Sequence, residues 1–224
     1  MTTARTAGVF LLLTALATAI SVPTRLLADA DQPTLTESLL AIIANRGYYA
    51  TGGAARFVSG IVLLAAAWFV WRAMADYHRP AVGLAAGFLG LSGVITAVSG
   101  ACAVAIAASV PSPAGPAATL VVGDGLPNLQ PLADARWITG TVGFTLAGLG
   151  LIALGPAQWR IGGLLKASAI ADVIIGVAML FIWIDAATVM HRMSGVAFLL
   201  WLIVSGIWLV AGLLKTPEPV SETR

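Results

Sequence analysis

Asp172 and Arg56 are the residues best placed to do chemistry, because each is ionisable and each falls inside an apolar run long enough to cross a bilayer. Placing a carboxylate or guanidinium in hydrocarbon costs several kcal/mol unless it is paired, wet or neutralised, so such a residue is a functional candidate by default. At a helical rise of about 1.5 Å per residue, Asp172 would lie roughly 19 Å from the outer end of its helix and about 10 Å below the inner face of the hydrocarbon. Arg56 would lie about 24 Å from Arg72, in the outer third, leaving an axial gap to Asp172 of about 10 Å. That gap is at the limit of an extended arginine. Arg136 and Asp185 are better matched in depth, and with Arg56 they predict an outer polar cluster that His191 and Arg192 would join. Asp172 would then stand apart, hydrated or neutral. It would serve either as a proton- or cation-coupled site or as a structural residue bonded to a neighbouring helix.

Other chemistries find less support. Metal and haem enzymes of membranes need several His, Cys or carboxylate ligands at one depth. This chain has 2 histidines, and His78 and His191 fall in links expected on opposite sides of the membrane. Met190, His191 and Met193 combine thioether and imidazole groups that suit copper, but three such residues at one helix end also arise by chance. A retinal Schiff base needs a mid-span lysine, whereas Lys166 and Lys215 both fall at span ends. The single cysteine, Cys102, reads as a small apolar residue of a helix. The expectation is therefore no metal, no cofactor, no catalytic residue and no enzyme activity. The 12 basic residues are scattered, with no run that would bind nucleic acid.

The elements that position these residues follow from composition. Hydrophobic residues make up 59% of the chain, charged ones 10%, and the mean hydropathy is +0.94, too little polar surface for a soluble domain of 224 residues. The pattern predicts an all-α polytopic membrane bundle, a single domain over 1–215 with a cytoplasmic tail at 216–224. Its six transmembrane helices are expected at about 6–27, 49–72, 82–110, 137–154, 163–184 and 193–214. Arg5 and the small residues after it also fit a secretory signal peptide, but a chain with five further spans can keep its first span as an uncleaved anchor. Thr34 and Glu37 have capping-box spacing, and Leu35, Leu39, Leu40, Ile42 and Ile43 follow, so a short interfacial helix is expected after the first span. Five prolines between 111 and 131 predict an irregular external segment up to about residue 135. Lys and Arg distribution places both termini in the cytoplasm. Trp71 and Trp159 then mark the inner edge, Trp137 and Trp183 the outer.

Helices in lipid pack through small residues that let backbones approach. Gly83, Gly87, Gly90, Gly93 and Gly100 recur every few residues in the third span, and Gly140, Gly143 and Gly150 in the fourth. Both stripes are expected at tight helix contacts. The halves also show a short similarity, with Arg5 and Gly8 corresponding to Arg136 and Gly140, as an inverted repeat would produce.

Ala4-Arg5-Thr6-Ala7-Gly8 opening the first span, a long polar link ending in Arg46-Gly47, Arg56 early in the second span, a Gly/Ala-rich third span and Trp/Gly-rich later spans together resemble a family of small bacterial six-span membrane proteins known only as a domain of unknown function. The resemblance implies a bacterial cytoplasmic membrane and six helices, and it carries no activity or ligand. Two functions follow as expectations. One is a non-enzymatic accessory or stress-related membrane component acting through lipid or protein contacts, with the bilayer, a second copy or another membrane protein as partner. The other is a small-solute or proton-coupled transporter using Asp172.

Overall fold

The computed structural model describes residues 2–111, 129–161, 164–184 and 188–212, and of Tyr77, His78, Ile161, Leu164, Thr188, Val189 and His191 only the backbone. Among them every regular element is a helix: α1 (Thr3–Ala28), α2 (Leu35–Ala44), α3 (Arg46–Asp76), α4 (Arg79–Ser109), α5 (Leu129–Ile161), α6 (Leu164–Leu180) and α7 (Thr188–Ala211). All except the short α2 carry a span long and apolar enough to cross a membrane. The chain is a multi-pass, all-α membrane bundle. A 3-10 turn, Phe181–Trp183, finishes α6.

Helical residues run unbroken from Arg46 to Ser109, yet Gly60 and Gly93 meet backbone to backbone. A straight helix would hold them about 50 Å apart. The chain therefore doubles back between Asp76 and Arg79, just before Pro80, and α3 and α4 form an antiparallel hairpin with almost no link. The fourth span also begins earlier than expected, at Leu129 instead of 137. Pro131 does not prevent this, because in the first turn its missing N–H has no intrahelical acceptor to lose. The prolines at 111 and 131 thus bound a shorter segment, of which 112–128 lie outside the described residues, as do Asp185 and the tail.

Each long helix packs on the next in the chain, and α7 returns onto α1, with α6 and α7 meeting least. Two kinds of contact alternate around this ring. Reciprocal glycines join α7 to α1 (Gly206 with Gly8), α3 to α4 (Gly60 with Gly93) and α5 to α6 (Gly148 with Gly176). Between these pairs hydroxyl groups bridge the helices. Thr18 and Ser59 are 2.8 Å apart and Ser21 donates to the Gly52 carbonyl at 3.0 Å, joining α1 to α3. Ser92 donates to the Gly143 carbonyl at 2.6 Å, joining α4 to α5. The repeating contact is a helix pair. Gly8 meets Gly206 whereas Gly140 meets Arg56, so the two residues matched in the half-to-half alignment make different contacts.

Leu11, Leu89, Leu151, Met179 and Leu202 fill the interior, all fully buried. The outer faces of α1, α3, α4, α6 and α7 carry exposed Leu, Ile, Val and Trp side chains, as a lipid-facing surface requires. The capping box of α2 forms, with Glu37 N–H donating to Thr34 Oγ1 at 3.2 Å and Thr34 N–H to Glu37 Oε2 at 3.2 Å. Its apolar face, Leu39, Ile42 and Ile43, does not lie free for lipid but docks on Ala103, Ile106, Ala107, Val110 and Leu129 at the ends of α4 and α5.

Candidate functional site

Two polar groups lie inside the bundle, at opposite ends. The first gathers where α1 ends and α3 and α5 begin, the end expected outside. Arg25 Nη2 bonds Asp31 Oδ1 at 2.8 Å on the rim, the one salt bridge among the described residues. Deeper, the Arg136 guanidinium lies over the Tyr49 ring, 5.1 Å from its centroid. Deeper still, Arg56 reaches from α3 across to α5, where a Cβ on Gly140 would stand 3.1 Å from Arg56 Nη2 and 3.4 Å from Ser99 Oγ. Ser99 donates to the Arg136 carbonyl at 2.9 Å, tying α4 to the turn that carries Arg136. Arg56 Nε and the Tyr49 hydroxyl are buried and make no hydrogen bond among the described residues.

This cluster joins Arg56 and Arg136 as expected from depth, but its other members are Arg25, Asp31 and Tyr49. Asp185 and the His191 side chain lie outside the described residues, and Arg192 is exposed on α7. Arg25 and Tyr49 escaped the sequence reading because both sit at span ends, where arginine and tyrosine are ordinary interfacial anchors. Burial would raise the Asp31 carboxyl, but the Arg25 guanidinium beside it, with Arg136 and Arg56 behind, holds it below its ordinary value. A lowered carboxylate stabilises the fold above its unfolded pKa, and that contribution is lost as pH falls through the folded pKa. Asp31→Asn is therefore expected to cost stability at neutral pH, by less than about 1 kcal/mol for a half-exposed pair. Thermal unfolding in detergent should show the variant and the parent converging in acid.

The second group is built on Asp172, whose side chain is fully buried. Ser168, one turn earlier on α6, donates to Asp172 Oδ1 at 3.4 Å. Gln158 of α5 and Trp201 of α7 face the same carboxyl. Their approach falls short of hydrogen-bond geometry, so Asp172 Oδ2, Gln158 Oε1 and Trp201 Nε1 are three buried polar atoms left without a bond among the described residues. They comprise two acceptors and one donor, the complement of a single water, which donates twice and accepts. Asp172 thus has neighbours from three helices, at the seam where α6 and α7 meet least.

Glycines of the two stripes divide by what they face. Gly93 and Gly100 meet the backbone of α3, Gly90 lies against Leu64, Gly143 against Thr96 and Gly150 against Leu89. Gly83 and Gly87 face open space and take no part in packing, which corrects the expectation for them. Gly140 makes room for a guanidinium instead of a helix backbone. Gly8, Gly52, Gly53, Gly60, Gly148, Gly155, Gly176 and Gly206, outside both stripes, make the remaining close contacts. Isolated glycines in a Gly/Ala-rich chain give no periodic signal by which to find them.

Protein-family models, curated proteins and solved structures yield no match to this chain.

Proposed function

We propose that this protein is a non-enzymatic component of a bacterial cytoplasmic membrane, with both termini on the cytoplasmic side, acting through contacts with lipid or with other membrane proteins. The observation that carries this reading is the backbone-on-backbone seal at three helix pairs around an interior filled with apolar side chains. Such a bundle is built to keep one shape and present one surface. Reconstituted in sealed vesicles, it is expected to give no solute or proton flux above that of empty vesicles. Flux that disappears in Asp172→Asn would overturn the reading in favour of a proton-coupled transporter. That second reading is motivated by the three unbonded polar atoms around Asp172 and by their place at the loosest helix seam.

For the orientation, the nearness of Arg5 to Gly212, where a Cβ would lie 4.0 Å from Arg5 Nη2, brings the start of α1 and the end of α7 to the same side. In a Cys102→Ser background, Glu37→Cys is expected to react with an impermeant maleimide on intact cells. Asp76→Cys should react only after permeabilisation. The reverse pattern would invert the topology.

A further inference from the structure

Among the described residues, the arginine cluster at the expected outer end is unbalanced in both charge and hydrogen bonding. Arg25, Arg56 and Arg136 lie within electrostatic reach of one another, and Asp31 is the carboxylate that acts on them. Asp31 is already bonded to Arg25 on the rim. The two deeper guanidiniums have no carboxylate at ion-pair distance among the described residues. Every unmet polar atom here can donate: among the described residues Arg56 Nε and the Tyr49 hydroxyl are buried without a partner, and the Arg136 guanidinium has an aromatic face in place of an acceptor. Buried donors left without acceptors are costly. Groups that can all donate, and carry excess positive charge, call for an oxygen-rich anion.

We propose that Arg56, Arg136 and Tyr49, behind the Arg25–Asp31 pair, form a binding site for a phosphate-bearing anion. A phosphate group fits better than a carboxylate because two guanidinium forks and a hydroxyl offer more donors than two carboxylate oxygens can accept. Its charge, between −1 and −2 near neutral pH, also matches the excess of three arginines over one aspartate among the described residues of the cluster. Gly140 lets the Arg56 head reach across to α5, where a side chain would stand in its way. Order along the chain supplies an entry: Arg25 is at the end of α1 and half-exposed, Arg136 is in the second turn of α5, and Arg56 is ten residues into α3. The phosphate could belong to a lipid headgroup at the membrane surface or to a free phosphate compound. The inference rests on the unmet donors and stands apart from the reading of the whole protein as a non-transporting component.

The full chain, purified in a neutral detergent, should be titrated with inorganic phosphate and followed by thermal unfolding. In parallel it should be placed in nanodiscs of phosphatidylcholine with and without phosphatidylglycerol. Stabilisation by inorganic phosphate would identify a free anion site, and stabilisation by phosphatidylglycerol alone would identify a headgroup site. Arg56→Gln should weaken the response about tenfold or more, as expected for loss of a charge-assisted contact. Tyr49→Phe, which removes only a hydroxyl, should weaken it by a smaller factor and keeps the test open if Arg56→Gln does not fold. Arg160→Gln, with the same loss of charge at the other end of the bundle, should respond as the parent does. The proposal is overturned if neither phosphate nor phosphatidylglycerol stabilises the protein, or if Tyr49→Phe and Arg56→Gln respond like the parent.

Discussion

Gly60→Leu is expected to leave little or no folded protein in the membrane, and Gly60→Ala to lower stability by about 1–3 kcal/mol. A Cβ at Gly60 would run into the Gly93 carbonyl and stand 2.5 Å from the Ala97 nitrogen. From the other side, a Cβ at Gly93 would stand 2.6 Å from the Gly60 carbonyl and 2.8 Å from the Leu64 nitrogen. These obstacles are backbone atoms of helices, which cannot rotate away as a side-chain end can. The helices must separate, and separation removes the van der Waals contact that holds them together in a solvent as apolar as themselves. Gly87 supplies the control within α4. Nothing lies within 4 Å of its Cβ position. Gly87→Ala should be neutral or stabilising by up to about 1 kcal/mol through helix propensity. Thermal unfolding of Gly60→Ala, Gly87→Ala and the parent in one detergent decides the matter. Equal melting of the two variants would mean that the Gly60–Gly93 contact does not hold the hairpin.

Asp172→Ala is expected to cost about 2–4 kcal/mol, while Asp172→Asn should stay within about 1 kcal/mol of the parent. Alanine removes the acceptor of the Ser168 hydroxyl and opens a cavity in a fully buried place, with Gln158 and Trp201 still unbonded beside it. Asparagine keeps the volume and an acceptor for Ser168, and its amide can donate to Gln158 Oε1. Abundance in the membrane and unfolding in detergent separate the two substitutions. Function is decided by the same pair. If Asp172 is a packing residue, Asp172→Asn leaves every phenotype of the parent intact. If it couples transport to protons, Asp172→Asn folds normally but abolishes uptake or its pH dependence.

The arginine cluster shows why only part of a membrane site can be read from the chain. Arg56 declared itself, because a guanidinium ten residues inside an apolar helix has no innocent explanation in hydrocarbon. Arg136 followed from its depth. Tyr49 and Arg25 did not, because what distinguishes them from interfacial anchors is a missing partner, and missing partners are a property of three dimensions. Asp172 was conspicuous for the same reason as Arg56, whereas Gln158 and Trp201 were not. A glutamine near a helix end and a tryptophan in a span acquire meaning only when α5, α6 and α7 bring them to one carboxyl.

Hydropathy by itself determined that this chain crosses a membrane on six helices, since unpaired backbone groups in lipid leave the helix as the economical spanning form for such apolar runs. The capping box of α2 was equally local, a contact between residues three apart. Tertiary structure alone decided which glycines meet and which polar atoms are left without partners among the described residues. Gly83, Gly87 and Gly93 occupy one helix with similar neighbours, yet only Gly93 meets an opposing backbone. The reason is physical: in a bilayer, lipid and protein interior are equally apolar, so no hydrophobic pattern marks which helix face turns inward, and contact geometry makes that choice.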